Sequence, residues 1–358
     1  MRIESRKGFT LVETAVCVGI LGVLAGIALP VVSDAREEAR QIACANRLVE
    51  ITMGSLQFQE ANEAMPPIHT SDGPVNQITD IFLSNDQNTG ALAYILPFIG
   101  EQEIFDLMPE IATQPEVFLG SGTAPISNFI QLFQDPGMSA ARTTQFSSVI
   151  CPSNADLLDK PIDQLFYTTA QVVSEPNLIF IVTIAVADEL EETQGRTSYL
   201  PSIGGFHTPF SSDPRALDLS LDDVAGPMRN RTTSIHTKDL GDGASNTICW
   251  SESLGYDTEQ DLIFNNGTIG ASFALFSNAL ITGNQFFVGA DPKTGESLSI
   301  LFGDSDNSYP WLIGSNHIDG NNVTFCDGSV RFLSDQTSRG VMAALGCGND
   351  GFWSERTN

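Results

Sequence analysis

Residues 1–32 read MRIESRKGFTLVETAVCVGILGVLAGIALPVV, and this stretch decides the architecture. A basic head with Arg2, Arg6 and Lys7 ends in Gly8, and Phe9-Thr10-Leu11-Val12-Glu13 follows. Thr14 to Val32 is then nineteen residues without a charge, close to the roughly 20 needed to cross about 30 Å of hydrocarbon. The basic residues precede the run, so the N-terminus is expected in the cytoplasm and the rest of the chain outside it. A carboxylate such as Glu13 costs about 2.5–3.5 kcal/mol at the centre of a membrane helix and marks function when it is kept. A cleaved secretory signal with Ser33-Asp34-Ala35 as cleavage site fits less well. The apolar run exceeds the roughly 7–15 residues of a secretory core, and Glu13 stands in its entrance.

Helical patterning continues beyond Pro30. Ala35, Ala39, Ile42, Asn46, Val49, Met53 and Leu56 recur at alternating spacings of four and three, which predicts one stripe on a helix. Arg36, Glu37, Glu38, Arg40, Arg47 and Glu50 mostly take the other faces. The stripe is expected to bury against a globular head, and Pro66-Pro67 to end the helix. From Phe9 to about Glu63 such a helix spans roughly 80 Å.

The chain has 358 residues and a net charge of −27. That charge excludes nucleic acid as a partner, since phosphate binding needs a basic face, and it fits a soluble exported surface. About 290 residues follow Pro67, and 31 glycines and 18 prolines point to a head rich in strands and loops. Of six cysteines, Cys17 lies in the apolar run. Cys44, Cys151, Cys249, Cys326 and Cys347 would meet an oxidising compartment. Five is odd, so at least one stays free or pairs between chains. Spacing does not fix the connectivity; Cys44 on the stalk and Cys151 in Val149-Ile150-Cys151-Pro152-Ser153 are the candidate pair, which would pin stalk to head.

Within the head, Asn88 to Met108 reads as a helix interrupted at Leu96-Pro97, with Glu101 and Glu103 on its wet side. Residues 109–147 read as loop with short helices. Asn177 to Ala187 reads as a core strand and Thr197 to Gly205 as another. Asp242-Gly243 leads through Thr247 into a strand reaching Trp250 and Glu252. Residues 256–313 read as an insertion. Near the C-terminus, Val323 and Phe325 alternate with Thr324 and Cys326, and Val330 and Phe332 with Ser329 and Arg331. Asp327-Gly328 between them predicts a two-residue hairpin turn. The expected fold is α+β: a long N-terminal membrane and stalk helix packed on an antiparallel sheet head with loop-rich insertions.

Gly8-Phe9-Thr10-Leu11-Val12-Glu13 resembles the processing site of type IV prepilins and type II secretion pseudopilins. The resemblance implies cleavage after Gly8, N-methylation of Phe9 and an assembly role for Glu13. It implies three kinds of partner: a prepilin peptidase that is also the methyltransferase, other pilin-like subunits, and the bilayer of the inner membrane through residues 9–32. Leu96-Pro97-Phe98, Ile150-Cys151-Pro152-Ser153, Thr197-Ser198-Tyr199, the Asp242-Gly243 to Thr247 element and Cys44-Ala45-Asn46 are further points of likeness. Together with His317, Asp327 and Gly328 in an H-x9-DG spacing, they make the chain similar to the DUF1559 family of large pilin-like proteins. The implied organisation is a leader at 1–8, a membrane helix at 9–32, a stalk at 33–65 and an extracytoplasmic head at 66–358, periplasmic or on the cell surface.

Catalytic chemistry is not expected. His317 has no nucleophile-elbow serine near it and is read as bonding backbone at a strand start, with Asp327-Gly328 as the turn. His69, His207, His236 and His317 are too scattered for a zinc site by spacing. Asp304 and Asp306 alternate like calcium ligands but lack the glycine and glutamate of an EF-hand loop; calcium is the one cofactor left open. The remaining functional alternatives are an unassembled tethered protein that binds a ligand or carbohydrate, and an anchored envelope hydrolase.

Overall fold

The computed structural model describes residues 10–67, 90–109, 135–154, 166–172, 179–185, 195–202, 226–228, 235–253, 272–273, 302–303 and 313–337, with 341, 345–346 and 348–349. Its helices are α1 (Leu11–Asn62), α2 (Ala91–Ile95), α3 (Gln102–Phe105) and α4 (Pro136–Thr143). Its strands are β1 (Phe166–Val172), β2 (Ile179–Ala185), β3 (Arg196–Thr197), β4 (Tyr199–Pro201), β5 (Ile248–Glu252), β6 (Ser272–Phe273), β7 (Phe302–Gly303), β8 (Ile313–Gly314), β9 (Gly320–Phe325) and β10 (Val330–Ser334). The fold is α+β.

α1 has 52 residues and passes through Pro30. Its apolar N-terminal part is exposed throughout, and the helix is long and apolar enough to cross a membrane. Its C-terminal part lies across the head. It ends at Glu63, whose left-handed backbone (φ 61) donates an N–H to the Gln59 carbonyl, ahead of Pro66-Pro67.

The face that α1 buries differs from the expected stripe. Ala35, Ala39, Ile42, Asn46 and Met53 are exposed, and Val49 and Leu56 are half-buried. The buried face is Cys44, Leu48, Ile51, Thr52, Gly54, Ser55 and Gln59. Half of those side chains are polar, so hydrophobic periodicity does not find them, and their polar groups are satisfied inside the head. Thr52 bonds the Thr324 hydroxyl at 2.5 Å. Ser55 accepts the Trp250 indole N–H at 2.9 Å. Gln59 accepts the Thr237 N–H at 2.8 Å and donates to its hydroxyl at 3.2 Å. At Gly54 a Cβ would stand 2.6 Å from the Ile99 methyl, so only glycine lets the helix approach this closely.

The head sheet has the order β10-β9-β5-β4, antiparallel throughout. A bulge at Cys249 shifts the β5–β9 register between Ile248↔Phe325 and Trp250↔Thr324. Thr324 faces α1. By strand alternation, Val323 and Phe325 face the other way, into a second core with Leu200, Ile248 and Ile313. The first core lies under α1 and holds Leu48, Ile51, Leu96, Tyr199 and Trp250. Two covered faces explain why every residue of β9 is buried.

The break expected at Leu96-Pro97 separates α2 from α3: α2 runs into a single 3-10 turn at Leu96–Phe98 and then α3, because Pro97 cannot continue an α-helical ladder. Glu101, placed on the wet side, accepts the Ser148 hydroxyl at 2.8 Å. The β9–β10 turn has three residues, not two. Gly328 N–H donates to the Phe325 carbonyl, and Phe325 N–H to the Ser329 carbonyl, both at 2.9 Å. Only Gly328 has positive φ (+83), and Asp327 does not. A type I turn closed by a glycine bulge needs one such residue, whereas the two-residue turn needs two. The strand expected at Asn177–Ala187 is β2, paired antiparallel with β1.

Candidate functional site

The chemistry-bearing side chains converge where α1 meets the head. His317 sits in the turn before β9, positioned by its own N–H donating to the Ser315 hydroxyl at 3.1 Å. Ser315 in turn donates to the Gly320 carbonyl at 2.8 Å. The imidazole is 2% exposed, and its two nitrogens face two carboxylates from different elements. Nδ1 donates to Glu37 Oε1 on α1 at 2.7 Å, and Nε2 to Glu252 Oε1 at the end of β5 at 3.2 Å. An ionised carboxylate only accepts, so in this arrangement the imidazole is the donor to each ionised partner. Burial alone would depress the His317 pKa, but Glu252 and then Glu37 outweigh it and the net shift is upward. Burial would likewise raise the Glu37 pKa. The bonds from His317 and Arg40 prevail, and it falls below the ordinary carboxylate range.

Glu252 is fully buried and held by more than the histidine. Its Oε2 accepts the Asn322 backbone N–H at 2.7 Å and its Oε1 the Asn322 amide at 3.1 Å. Glu37 is 21% exposed and is paired on its outer side with Arg40. Cys44 and Cys151 are joined by a disulfide across 107 residues, and Cys151 Sγ stands 3.6 Å from His317 Nε2. Arg47 donates to the Ile150 carbonyl, and the Tyr199 hydroxyl donates to the Cys44 carbonyl at 3.2 Å. The bridge is thus braced on both sides.

Ser153, His317 and Glu252 have the residue types of a hydrolytic triad, but not its working geometry. Ser153 Oγ lies 3.4 Å from Nδ1, yet the same nitrogen is 2.7 Å from Glu37, and Ser153 donates to that carboxylate at 3.3 Å. A general base must turn a free lone pair to its nucleophile, and here that position holds a proton bound to Glu37. The donors Cys44, Cys151, Glu252 and His317 lie within 4.8 Å of one another, although both sulfurs are committed to the disulfide.

Residues 33–340 match the family described as a protein of unknown function, DUF1559. The chain belongs to the DUF1559 family. Residues 5–29 match the prokaryotic N-terminal methylation motif. No curated protein and no solved structure matches the chain. This DUF1559 protein is therefore a prepilin-type, pilin-like envelope protein, anchored in a membrane by its N-terminal helix.

Gly8 and Phe9 of the methylation motif lie outside the described residues. Glu13 does not stand alone at the helix entrance. Its Oε2 accepts the Thr10 N–H and hydroxyl, both at 2.8 Å, and its own N–H donates to the Thr10 hydroxyl at 3.2 Å. This is a capping box, legible as Thr-x-x-Glu but overlooked beside the membrane run. His317 bonds two carboxylates rather than backbone, which corrects the expectation for it. The reason is burial: an imidazole hidden from water needs partners at both nitrogens. Asp327 lies at the other end of β9, where its carboxylate accepts the Ser329 N–H at 2.9 Å, so the two halves of the H-x9-DG spacing do not form one site. Gly328 packs near Met53 and Leu56 of α1. Asp304 and Asp306 lie outside the described residues. Sequence reasoning missed Glu37, hidden among solvated charges, and treated Glu252 as a strand end. The available signal was a lone acid closing the otherwise uncharged strand Ile-Cys-Trp-Ser-Glu.

Proposed function

We propose that this DUF1559 protein is cut by a prepilin peptidase between Gly8 and Phe9, methylated on Phe9 and assembled with other pilin-like subunits into a pilus or secretion pseudopilus. In this reading residues 1–8 are the leader, 9–32 the inner-membrane helix, 33–65 the stalk and 66–358 a head outside the cytoplasm, with the N-terminus cytoplasmic before cleavage. The head contributes surface and spacing rather than catalysis.

The observation that carries the reading is the methylation motif set directly on the capped, fully exposed N-terminal part of α1. Processing would create a free amine at Phe9, one residue before the Thr10–Glu13 box. The Glu13 carboxylate already accepts two donors at the helix start. A carboxylate in lipid needs a cationic partner, and the Phe9 amine of the same or a neighbouring subunit supplies one. The test is intact mass and N-terminal sequencing of the mature protein, followed by Glu13→Ala. Methyl-Phe9 as first residue, with Glu13→Ala still membrane-inserted but lost from sheared filaments, is expected. A chain beginning at Met1, or a variant equally abundant in filaments, overturns it.

A further inference from the structure

Among the described residues, four metal-ligating side chains meet at the corner that holds the disulfide. We propose that opening the Cys44–Cys151 bond converts this corner into a four-donor site for a zinc-class divalent cation, ligated by Cys44 Sγ, Cys151 Sγ, His317 Nε2 and a Glu252 oxygen.

The donor set and its spacing carry the inference. Two sulfurs, one imidazole and one carboxylate are the ligand types of tetrahedral zinc, and the four atoms already lie within 4.8 Å of one another. Zinc bonds of about 2.0–2.3 Å place tetrahedral donors roughly 3.3–3.8 Å apart. The imidazole and carboxylate need to move little. Once the bond is opened, the two sulfurs are free to part to that spacing. Calcium is the wrong class for this set, since it takes six to eight oxygens.

The surroundings of the ligands match a metal site more closely than four donors meeting by chance. A ligating imidazole commonly donates its other N–H to a carboxylate, which fixes its orientation. His317 Nδ1 does so to Glu37 at 2.7 Å, and Glu37 is itself held by Arg40. Ligating carboxylates are in turn hydrogen-bonded, and Glu252 is held by two donors of Asn322. Between Nε2 and Glu252 there is now one shared proton, and the cation takes its place. All four ligating residues are buried, so water does not compete for the metal.

The chemistry balances. A dithiol reductant gives two electrons and two protons to the S–S bond and becomes a disulfide itself. The cation then displaces both thiol protons and the Nε2 proton to water. Two thiolates, Glu252 and a divalent cation leave one net negative charge, with Arg47 bonded beside Cys151 at the Ile150 carbonyl. The corner therefore has two closed states: disulfide-locked when oxidised, metal-locked when reduced.

The test uses the full chain in detergent, a phosphine reductant and cobalt(II) as probe. Expected are one cobalt per reduced chain, tetrahedral ligand-field bands and a thiolate-to-cobalt charge-transfer band, none of which the oxidised chain shows. His317→Ala and Glu252→Ala should each weaken binding more than tenfold and alter the ligand-field bands. Glu37→Gln, outside the ligand shell, should weaken it about 10- to 100-fold with the spectrum kept. The doubly substituted Cys249→Ser, Cys326→Ser chain should behave as the parent. If the reduced chain loses its protease-resistant head, zinc alone should restore it. No thiolate–cobalt band and no zinc-dependent protection overturns the proposal. So does a band indifferent to His317→Ala, or one lost with Cys249 and Cys326.

Discussion

At the residue scale, His317 ties two carboxylates that would otherwise be costly. Replacing it with Ala leaves Glu252 fully buried with only Asn322 as donor, and breaking a buried pair in this way costs about 3–5 kcal/mol. Urea unfolding of His317→Ala should show that loss, while Asp327→Asn at the hairpin tip should stay within roughly 1 kcal/mol. The pH dependence has a defined sign. His317 has a raised pKa in the fold, so its contribution is complete below its unfolded pKa near ~6.5 and is lost as pH rises through the folded value. Glu37 has a lowered pKa, so its contribution is complete above its unfolded pKa near ~4.3 and is lost as pH falls through the folded value. The stability difference between the parent and His317→Gln should therefore be largest in the mildly acidic interval between these limits and shrink on both sides. Midpoint temperatures across pH for the two chains check it; a flat difference would contradict the clamp. His317, Asp327 and Gly328 stand out in the sequence. What the ring touches does not, because Glu37 lies 280 residues away on a helix face that charge patterning assigns to solvent.

At the element scale, the length of α1 and its passage from lipid to head are legible, because uncharged length and helical period are local properties. The buried face is not. Its determinants are hydrogen bonds from Thr52, Ser55 and Gln59 to residues some 180 to 270 positions distant, which no periodicity records. The corrected face makes a direct prediction. Leu48→Ala, on the truly buried side, should cost about 2–5 kcal/mol, whereas Ile42→Gln, on the stripe that periodicity selects, should stay within about 0.5 kcal/mol because Ile42 is 55% exposed. Equal losses in chemical denaturation would restore the original stripe. The strand pattern around β9 and β10 was readable from alternation. The turn length was not, because Asp-Gly serves both a two-residue turn and the bulged three-residue one, and backbone φ at Asp327 decides between them.

At the scale of the whole molecule, the stalk and head behave as one body because three kinds of link cross between them. The cores interdigitate, the Glu37–His317–Glu252 clamp closes one corner, and the Cys44–Cys151 bridge lies beside it. A disulfide closing a loop of about 100 residues stabilises by roughly 4–5 kcal/mol through the unfolded chain, and this one spans 107. Cys44→Ala with Cys151→Ala should therefore lower stability by about that amount in metal-free buffer. The loss should fall on the head, while membrane insertion of the apolar N-terminal part of α1 should be unaffected, since that part packs on nothing among the described residues. Combining the double substitution with His317→Ala should cost less than the sum of the two separately, because Cys151 and His317 are in contact and residues in contact do not add. Denaturant midpoints for the parent, the two variants and their combination give the coupling directly. Strict additivity would mean that bridge and clamp hold the stalk independently, and the corner would then be two devices rather than one.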